Sequence, residues 1–369
     1  MRRLIYIFII GLLLCSYTWA DGSRYASKSL LSEGKWVKIR VDKTGIYKLS
    51  YADLKNMGFS DPSKVSVHGY GGWPLDEDFS KEYIDDVPST PVWRGSDYLL
   101  FYGKGPVKWE YDSSSQTFVH TNNPYSLYGY YFVTDATPTN DMTSVAQASA
   151  ASTRITTYDD YLLHEQELVS VNQSGREFFG EDFSGARPRT ISTFSSIPGI
   201  TDADGKVTMR FISRINSGSG TASLSINDSE LLDITIPSIQ TVSSNVRSYT
   251  KAIPGTTTAL WKGSKSEKNN VVVSYSSSGH TNVRLDYIRM QFVRTLRPYG
   301  ACTFFRSLTS VGNASRFVIS EANSNTLVFD VTDALNVKRV EADLNGSELS
   351  FTIPAGRLRE FVLVQTNQT

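Results

Sequence analysis

Apolar and polar positions alternate along much of this chain, in runs too short for long helices. From Trp36 the sequence WVKIRVDKTGIYKLS sets Trp36, Lys38 and Arg40 on one side and Val37, Ile39 and Val41 on the other. Asp42-Lys43-Thr44-Gly45 reads as a turn and Ile46 to Leu49 as a returning strand, so the pattern predicts a β-hairpin with one buried and one wet face. Ser50 then caps a short helix over Tyr51 to Met57, with Asp53 in its first turn and Gly58 beyond its end. Val65 to His68 is the next strand, followed by Gly69-Tyr70-Gly71-Gly72, where glycines permit conformations a side chain would forbid.

The stretch from Tyr98 to Asp135 is dense in rings, each with a large apolar area to bury. Leu99 to Tyr102 is a short apolar run stopped by Gly103-Lys104-Gly105-Pro106. Trp109 and Tyr111 alternate with Glu110 and Asp112, and Ser113-Ser114-Ser115 turns the chain towards Phe118 and His120, which predicts a hairpin. Tyr130 to Val133 closes the set. Between the two groups, residues 74–96 are acidic and proline-rich and read as a long loop. Asp76, Glu77, Asp78, Asp85 and Asp86 are oxygen ligands of the kind calcium takes, but they follow no ligand-loop spacing, and a solvated loop is the simpler reading.

Residues 136–152 are small, polar and free of aromatics, and we place a domain boundary there. The piece around Tyr161, Leu162, Leu163 and Leu168 reads as a short helix or a strand leading to Gly175. Short strands then follow: Val207 to Ile212, Ala222 to Ile226, Leu231 to Ile236, Val271 to Tyr275, Val283 to Val293, Arg316 to Ile319, Thr326 to Val331, Glu348 to Ile353 and Glu360 to Val364. Turn sequences such as Ser217-Gly218-Ser219-Gly220 and Asn345-Gly346-Ser347 separate them. No fixed repeat period emerges, which argues against a propeller or solenoid. The fold class expected is all-β: a small amino-terminal β-domain with a short helix over residues 21–150, then a jelly-roll-like β-sandwich over 151–369.

Residues 1–20 carry the marks of an export signal: Arg2 and Arg3, an apolar stretch from Leu4 to Cys15, and Thr18-Trp19-Ala20 as a cleavage site. The apolar run is shorter than the ~20 residues a membrane span needs, so no transmembrane segment is expected after its removal. The address implied is the periplasm or the outer-membrane surface. Formal net charge is zero, without basic blocks, which leaves no electrostatic footprint for nucleic acid. Cleavage removes Cys15 and leaves Cys302 alone, so the exported chain relies on its cores rather than on an internal disulfide.

Each candidate chemistry has a plainer structural counterpart. Cys302, in PYGACTFFRS, would need an imidazole from His68, His120, His164 or His280 to act as a nucleophile; a small buried side chain is the default. Ser219 lacks a G-x-S-x-G frame and fits a turn. Glu165 beside His164, and Glu177 near Glu181, are an acid–base set only if a cleft brings them together; structural charge pairing is the commoner fate. Asp202-Ala203-Asp204-Gly205 resembles the opening of a calcium loop but lacks the downstream glutamate, so a turn is expected. Trp73, Trp93 and Trp261 would stack on sugars if they lined one exposed face, which makes a carbohydrate- or protein-binding surface module the alternative function; core and loop-anchoring roles are more usual.

Read together, KWVKIRVDKTGIYKLSYADLKNMGF, SVHGYGG, DYLLFYGKGPVKW and NPYSLYGYYFVTD resemble the amino-terminal region of the gingipain-related cysteine peptidases that act as the sortase of the type IX secretion system in Bacteroidetes. HEQELVSVNQSGREFFGEDF, LDYIRMQFVRTL, VFDVTDALNVKRV and REFVLV extend the resemblance over nearly the whole mature chain. In that family such β-rich modules precede a caspase-like peptidase domain. The resemblance therefore implies a non-catalytic scaffold or interaction module, with a cysteine-peptidase domain as partner in cis or in trans and exported cargo or other secretion components as further partners. The sequence stops where such a catalytic domain is expected to begin, which suggests a truncated or split gene product. No residue here matches the family's catalytic motifs, so no catalytic, cofactor-binding or metal-ligating residue is assigned and no cofactor is expected.

Overall fold

The computed structural model describes residues 25–368 apart from 79, 81–83, 172–174, 186, 216–217, 240–251 and 278–279. The export signal expected in residues 1–20 therefore lies outside the described residues. The architecture is all-β with one short α-helix, Tyr51–Asn56, as the hydrophobic pattern predicts. Ser50 caps that helix by accepting a hydrogen bond from the Asp53 N–H, and Leu54 buries its inner face.

The expected hairpin over residues 36–49 does not form. Val37–Val41 pairs with Gly129–Thr134, and Gly45–Ser50 pairs with Tyr98–Gly103, each antiparallel. The connection at Asp42-Lys43-Thr44 thus carries the chain from one sheet to another. Alternation reveals that a segment is extended, whereas the choice of partner depends on which distant strand supplies the matching apolar face. Between these sheets lie Leu54, Phe59, Val67, Phe101 and Tyr131. The acidic segment also departs from the expectation at its end, where Ser89–Thr90 and Val92–Arg94 are short strands.

Two pairs of packed sheets follow. The first pair sets Thr157–Glu165, His280–Thr295, Gly205–Ile215 and Ile253–Trp261 against Arg189–Thr190, Val271–Ser277, Ser219–Ile226 and Ser229–Pro237. Phe211, Met209, Leu224, Val273 and Ile288 fill the space between them, with Phe211 stacked on Tyr275. Ile253–Trp261 was not predicted because Pro254-Gly255 reads as a breaker. It is an edge strand, where a missing N–H is tolerated. The segment around Tyr161 resolves as the nine-residue strand Thr157–Glu165.

The second pair sets Ser144–Val145, Lys338–Val340, Thr326–Asp330, Phe361–Gln365 and Cys302–Phe305 against Thr153–Ile155, Ser315–Ile319, Glu348–Ile353 and Asp343–Asn345. Four phenylalanines, Phe305, Phe317, Phe351 and Phe361, meet at its centre. The outer face of this sheet is apolar as well: Phe329, Val362 and Val364 pack on Leu100 and Tyr102 of the amino-terminal part.

The hairpin Val107–Asp112/Thr117–Asn122 is the one predicted from the aromatic stretch, and Asp112 ties its turn through Ser114 and Ser115. A two-stranded ribbon is marginal by itself, and here it lies across the outer face of the first sheet pair. Gln291 closes the contact from both ends, accepting from the Phe118 N–H at 2.9 Å and donating to the Phe118 carbonyl at 3.2 Å. At the hairpin base Gly72 passes so close to Gly105 and Gly129 that a Cβ there would lie 2.8 Å from the Gly105 carbonyl carbon. Only a residue without a side chain fits such an approach.

Candidate functional site

The hairpin divides the surface it crosses into two cavities that share Trp73, Pro106, Val107 and Leu163. The larger, about 1710 Å³, is an open groove. Its floor comes from strand alternation. Tyr161, Leu163 and Glu165 face the hairpin, whereas His164 points to the opposite side and bonds Thr193 at 2.8 Å and Glu181 at 2.7 Å. Glu165 instead meets His120, at 3.1 Å. The neighbours His164 and Glu165 are therefore not an acid–base couple; each is paired with a group from elsewhere in the chain.

A β-bulge supplies the rest of the floor. Arg210 is opposite Tyr287 and Phe211 opposite Leu285, so Asp286 has no partner across the ladder, and both Asp286 and Tyr287 line the groove. Arg210 makes a charged hydrogen bond to Asp286 and reaches Glu177 at 3.2 Å. Asp286 is buried, and burial, with Glu165 and Glu177 adding to it, outweighs the pull of Arg210 and pushes the carboxyl up to about 6. Glu167 is pushed up to about 7, first by desolvation and then by the charge of Glu165, although Asn122 donates to it at 3.0 Å. Burial raises Glu181 but the hydrogen bond and charge of His164 more than offset it, so that carboxyl stays below its ordinary range. The sequence reading named Glu165, Glu177 and Glu181 but missed Glu167, Asp286 and Arg210. Nothing local marks them, since the bulge and the hairpin create their setting.

The smaller cavity, about 490 Å³, is walled by Tyr102, Trp109, Tyr158 and Tyr161 and contains Arg306. That guanidinium is 1% exposed, makes a double charged hydrogen bond to Glu360, donates to the Asp159 carbonyl at 2.9 Å and lies 4.3 Å from the Tyr161 ring centre. Tyr161 is held between Arg306 on one face and Trp109 on the other.

The remaining candidates are placed elsewhere. Cys302 is half-buried in the strand Cys302–Phe305 with Phe304, Trp93 and Ile46, and burial pushes its thiol up. His68 is buried against Ser66 and Thr137, and burial lowers its affinity for a proton. The side chain of His280 lies outside the described residues. Trp261 is buried in the first sheet pair and Trp93 packs beneath the second, so neither presents a ring to a sugar. Trp73 lines both cavities and stands 4.9 Å from the Lys104 ammonium. Ser219 opens the strand Ser219–Ile226, after Gly218 in a left-handed turn conformation. Asp202 lies in a bend and accepts from the distant Lys265 N–H at 2.8 Å. Asp86 accepts from Leu30 N–H and Ser29 Oγ, pinning the polar lead to the acidic segment. Among the described residues no group of three or more His, Cys, Asp or Glu is placed to hold a metal ion. Among them, too, no helix is long and apolar enough to cross a membrane.

Comparison with known proteins now bears on this geometry. The crystal structure of dimeric latent PorU from Porphyromonas gingivalis matches 94% of this chain at 32% identity with a TM-score of 0.83. This chain has a PorU-like fold. It spans about a third of PorU's length, 33% of that chain. The resemblance read from the sequence motifs is thus matched at the level of the fold. A carbohydrate-binding module of Cellvibrio japonicus Abf62 aligns with 37% of this chain and 97% of its own at 15% identity and a TM-score of 0.20, too low to bear on the PorU-like fold. No protein-family model and no curated protein matches the chain.

Proposed function

We propose that this chain is the amino-terminal, β-rich scaffold of a gingipain-like type IX sortase, and that it seats and orients a cysteine-peptidase domain at the outer surface of the cell. The peptidase domain is carried in the same polypeptide or supplied by another chain. The observation that carries this reading is the match to PorU over 94% of the chain at 32% identity. The place of Cys302 supports it: a half-buried thiol among apolar side chains, raised by burial, is poorly equipped as a nucleophile. His68, His120 and His164 are each engaged with other groups. Export through a signal in residues 1–20 brings such a scaffold to the cell surface.

The test is reconstitution. The purified chain is mixed with a separately produced gingipain-like peptidase domain and followed by analytical ultracentrifugation and peptide cleavage. A stoichiometric complex is expected, with cleavage only where the peptidase domain is present. Absence of any complex at micromolar concentrations would sink the scaffold reading. So would cleavage by the chain alone that disappears in Cys302→Ala.

A further inference from the structure

We propose that the groove beside the hairpin is a docking site for an extended peptide segment carrying an arginine flanked by apolar side chains. This goes beyond the scaffold reading, because the site belongs to this chain and requires no peptidase domain.

The floor calls for a cation. Glu165, Glu167, Glu177 and Asp286 converge there, and Arg210 is committed to Asp286 and Glu177. Burial first, and then the neighbouring charge of Glu165, raise the Glu167 carboxyl, so two carboxyl groups stand near each other in the groove. A guanidinium offers a planar fork of donors matched to two adjacent carboxylates. The polar wall is also incomplete: His120, with its side chain 5% exposed, has no partner for Nδ1, and Asn122 has none for Oδ1.

The rim carries large exposed apolar side chains beside the charged Asp76, Glu77, Asp78 and Arg176, and that observation is independent of the floor. Leu75, Tyr125 and Leu127 line the groove and are among the most exposed large hydrophobic residues of the described chain, at 59%, 81% and 67%. Large apolar side chains gathered around a polar floor mark an interaction surface. A neutral sugar would use the rings but bring no charge to Glu165 and Glu167, which Arg210 does not pair with, whereas a basic peptide answers both features.

Binding then exchanges a cation for protons. The groups facing Glu167 and Asp286 are His120 and Asn122 from the hairpin, Glu165 from its strand, Arg210 and Tyr287 from the two neighbouring strands, and Glu177. As pH falls through about 7 and then about 6, Glu167 and Asp286 take up protons and the floor loses charge. Affinity for a cation falls with it.

The experiment is fluorescence anisotropy of the chain with a labelled Leu-Gly-Arg-Gly-Leu peptide and its citrulline counterpart, which keeps the shape and removes the charge. The arginine peptide is expected to bind at least about tenfold more tightly than the citrulline one at pH ~8, with the advantage shrinking towards pH ~5. Glu167→Gln is expected to weaken the arginine peptide about tenfold and to flatten its pH dependence. The double variant Tyr125→Ser, Leu127→Ser changes only exposed side chains, so the chain keeps its melting temperature while affinity falls. Equal binding of the two peptides overturns the proposal, as does wild-type affinity in both variants. If Glu167→Gln fails to fold, the citrulline comparison and the rim variant decide between the two outcomes.

Discussion

Trp109 lies flat on Tyr161, with ring centroids 4.0 Å apart and planes 18° from parallel. One residue belongs to the aromatic hairpin and the other to the first strand of the central sheet pair, 52 positions later in the chain by their numbers. The stack clasps a ribbon that would be marginal alone to the surface on which both cavities form. Gln291 and Lys206 fasten the same ribbon further along, the latter donating to the Gln116 carbonyl at 2.8 Å.

Trp109→Ala removes this clasp. Loss of about 2 to 3 kcal/mol of stability is expected, towards the low end for a large aromatic because Trp109 is only half-buried. Urea denaturation checks it. Trp109→Phe is expected to recover about half of the loss, which a purely local effect on the hairpin turn would not produce.

Arg306 is the most deeply enclosed charge at the junction, and its partner Glu360 is 28% exposed by side chain. Removing one member of such a pair leaves the other without compensation in a poorly solvated place. Arg306→Met is expected to cost about 3 kcal/mol. Pairing it with Glu360→Gln is expected to return part of that, measured as a double-mutant cycle in urea.

Glu167 carries a folded-state value of about 7 against an ordinary 4.5. The native state therefore holds more protons than the unfolded chain between those values, and this group's contribution to stability falls as pH rises through the window. In Glu167→Gln the decline of stability between about pH 5 and pH 7 is expected to be shallower. A carboxyl carbon NMR titration of Glu167 is expected to show a midpoint well above that of an exposed glutamate; an ordinary midpoint would refute the burial of Glu167 beside Glu165.

Lys104 is 3% exposed, between Tyr70 at 3.9 Å and Trp73 at 4.9 Å, and burial brings its ammonium down to about 8 from 10.5. The native state binds fewer protons than the unfolded one between those values, so stability from this group rises with pH across that window. Below it the charge is a burden that the two rings offset only in part. Lys104→Met is expected to stabilise the chain at neutral pH by about 1 to 2 kcal/mol and to abolish the alkaline rise. Thermal melts at about pH 7 and pH 10 test both signs.

Much of the strand content is a local property and was readable as such. Alternation, β-branched runs and turn residues placed Glu348–Ile353 without error, and placed Val271–Ser277 and Ser315–Ile319 to within a residue or two. Ser50 and Gly58 framed the helix for the same reason, since capping concerns neighbours in sequence. Ile253–Trp261 escaped because an edge strand tolerates proline and glycine, which a sequence pattern treats as breakers.

The sequence by itself thus determined that this chain is built of sheets and where its aromatic hairpin turns. Tertiary structure alone decided that Val37–Val41 and Gly45–Ser50 go to different partners, that Glu165 meets His120 while His164 meets Glu181, and that a bulge turns Asp286 into the groove. The reason is one of range. Backbone preference and side-chain alternation act over a few residues, whereas strand pairing and the burial of charge depend on which distant surfaces come together.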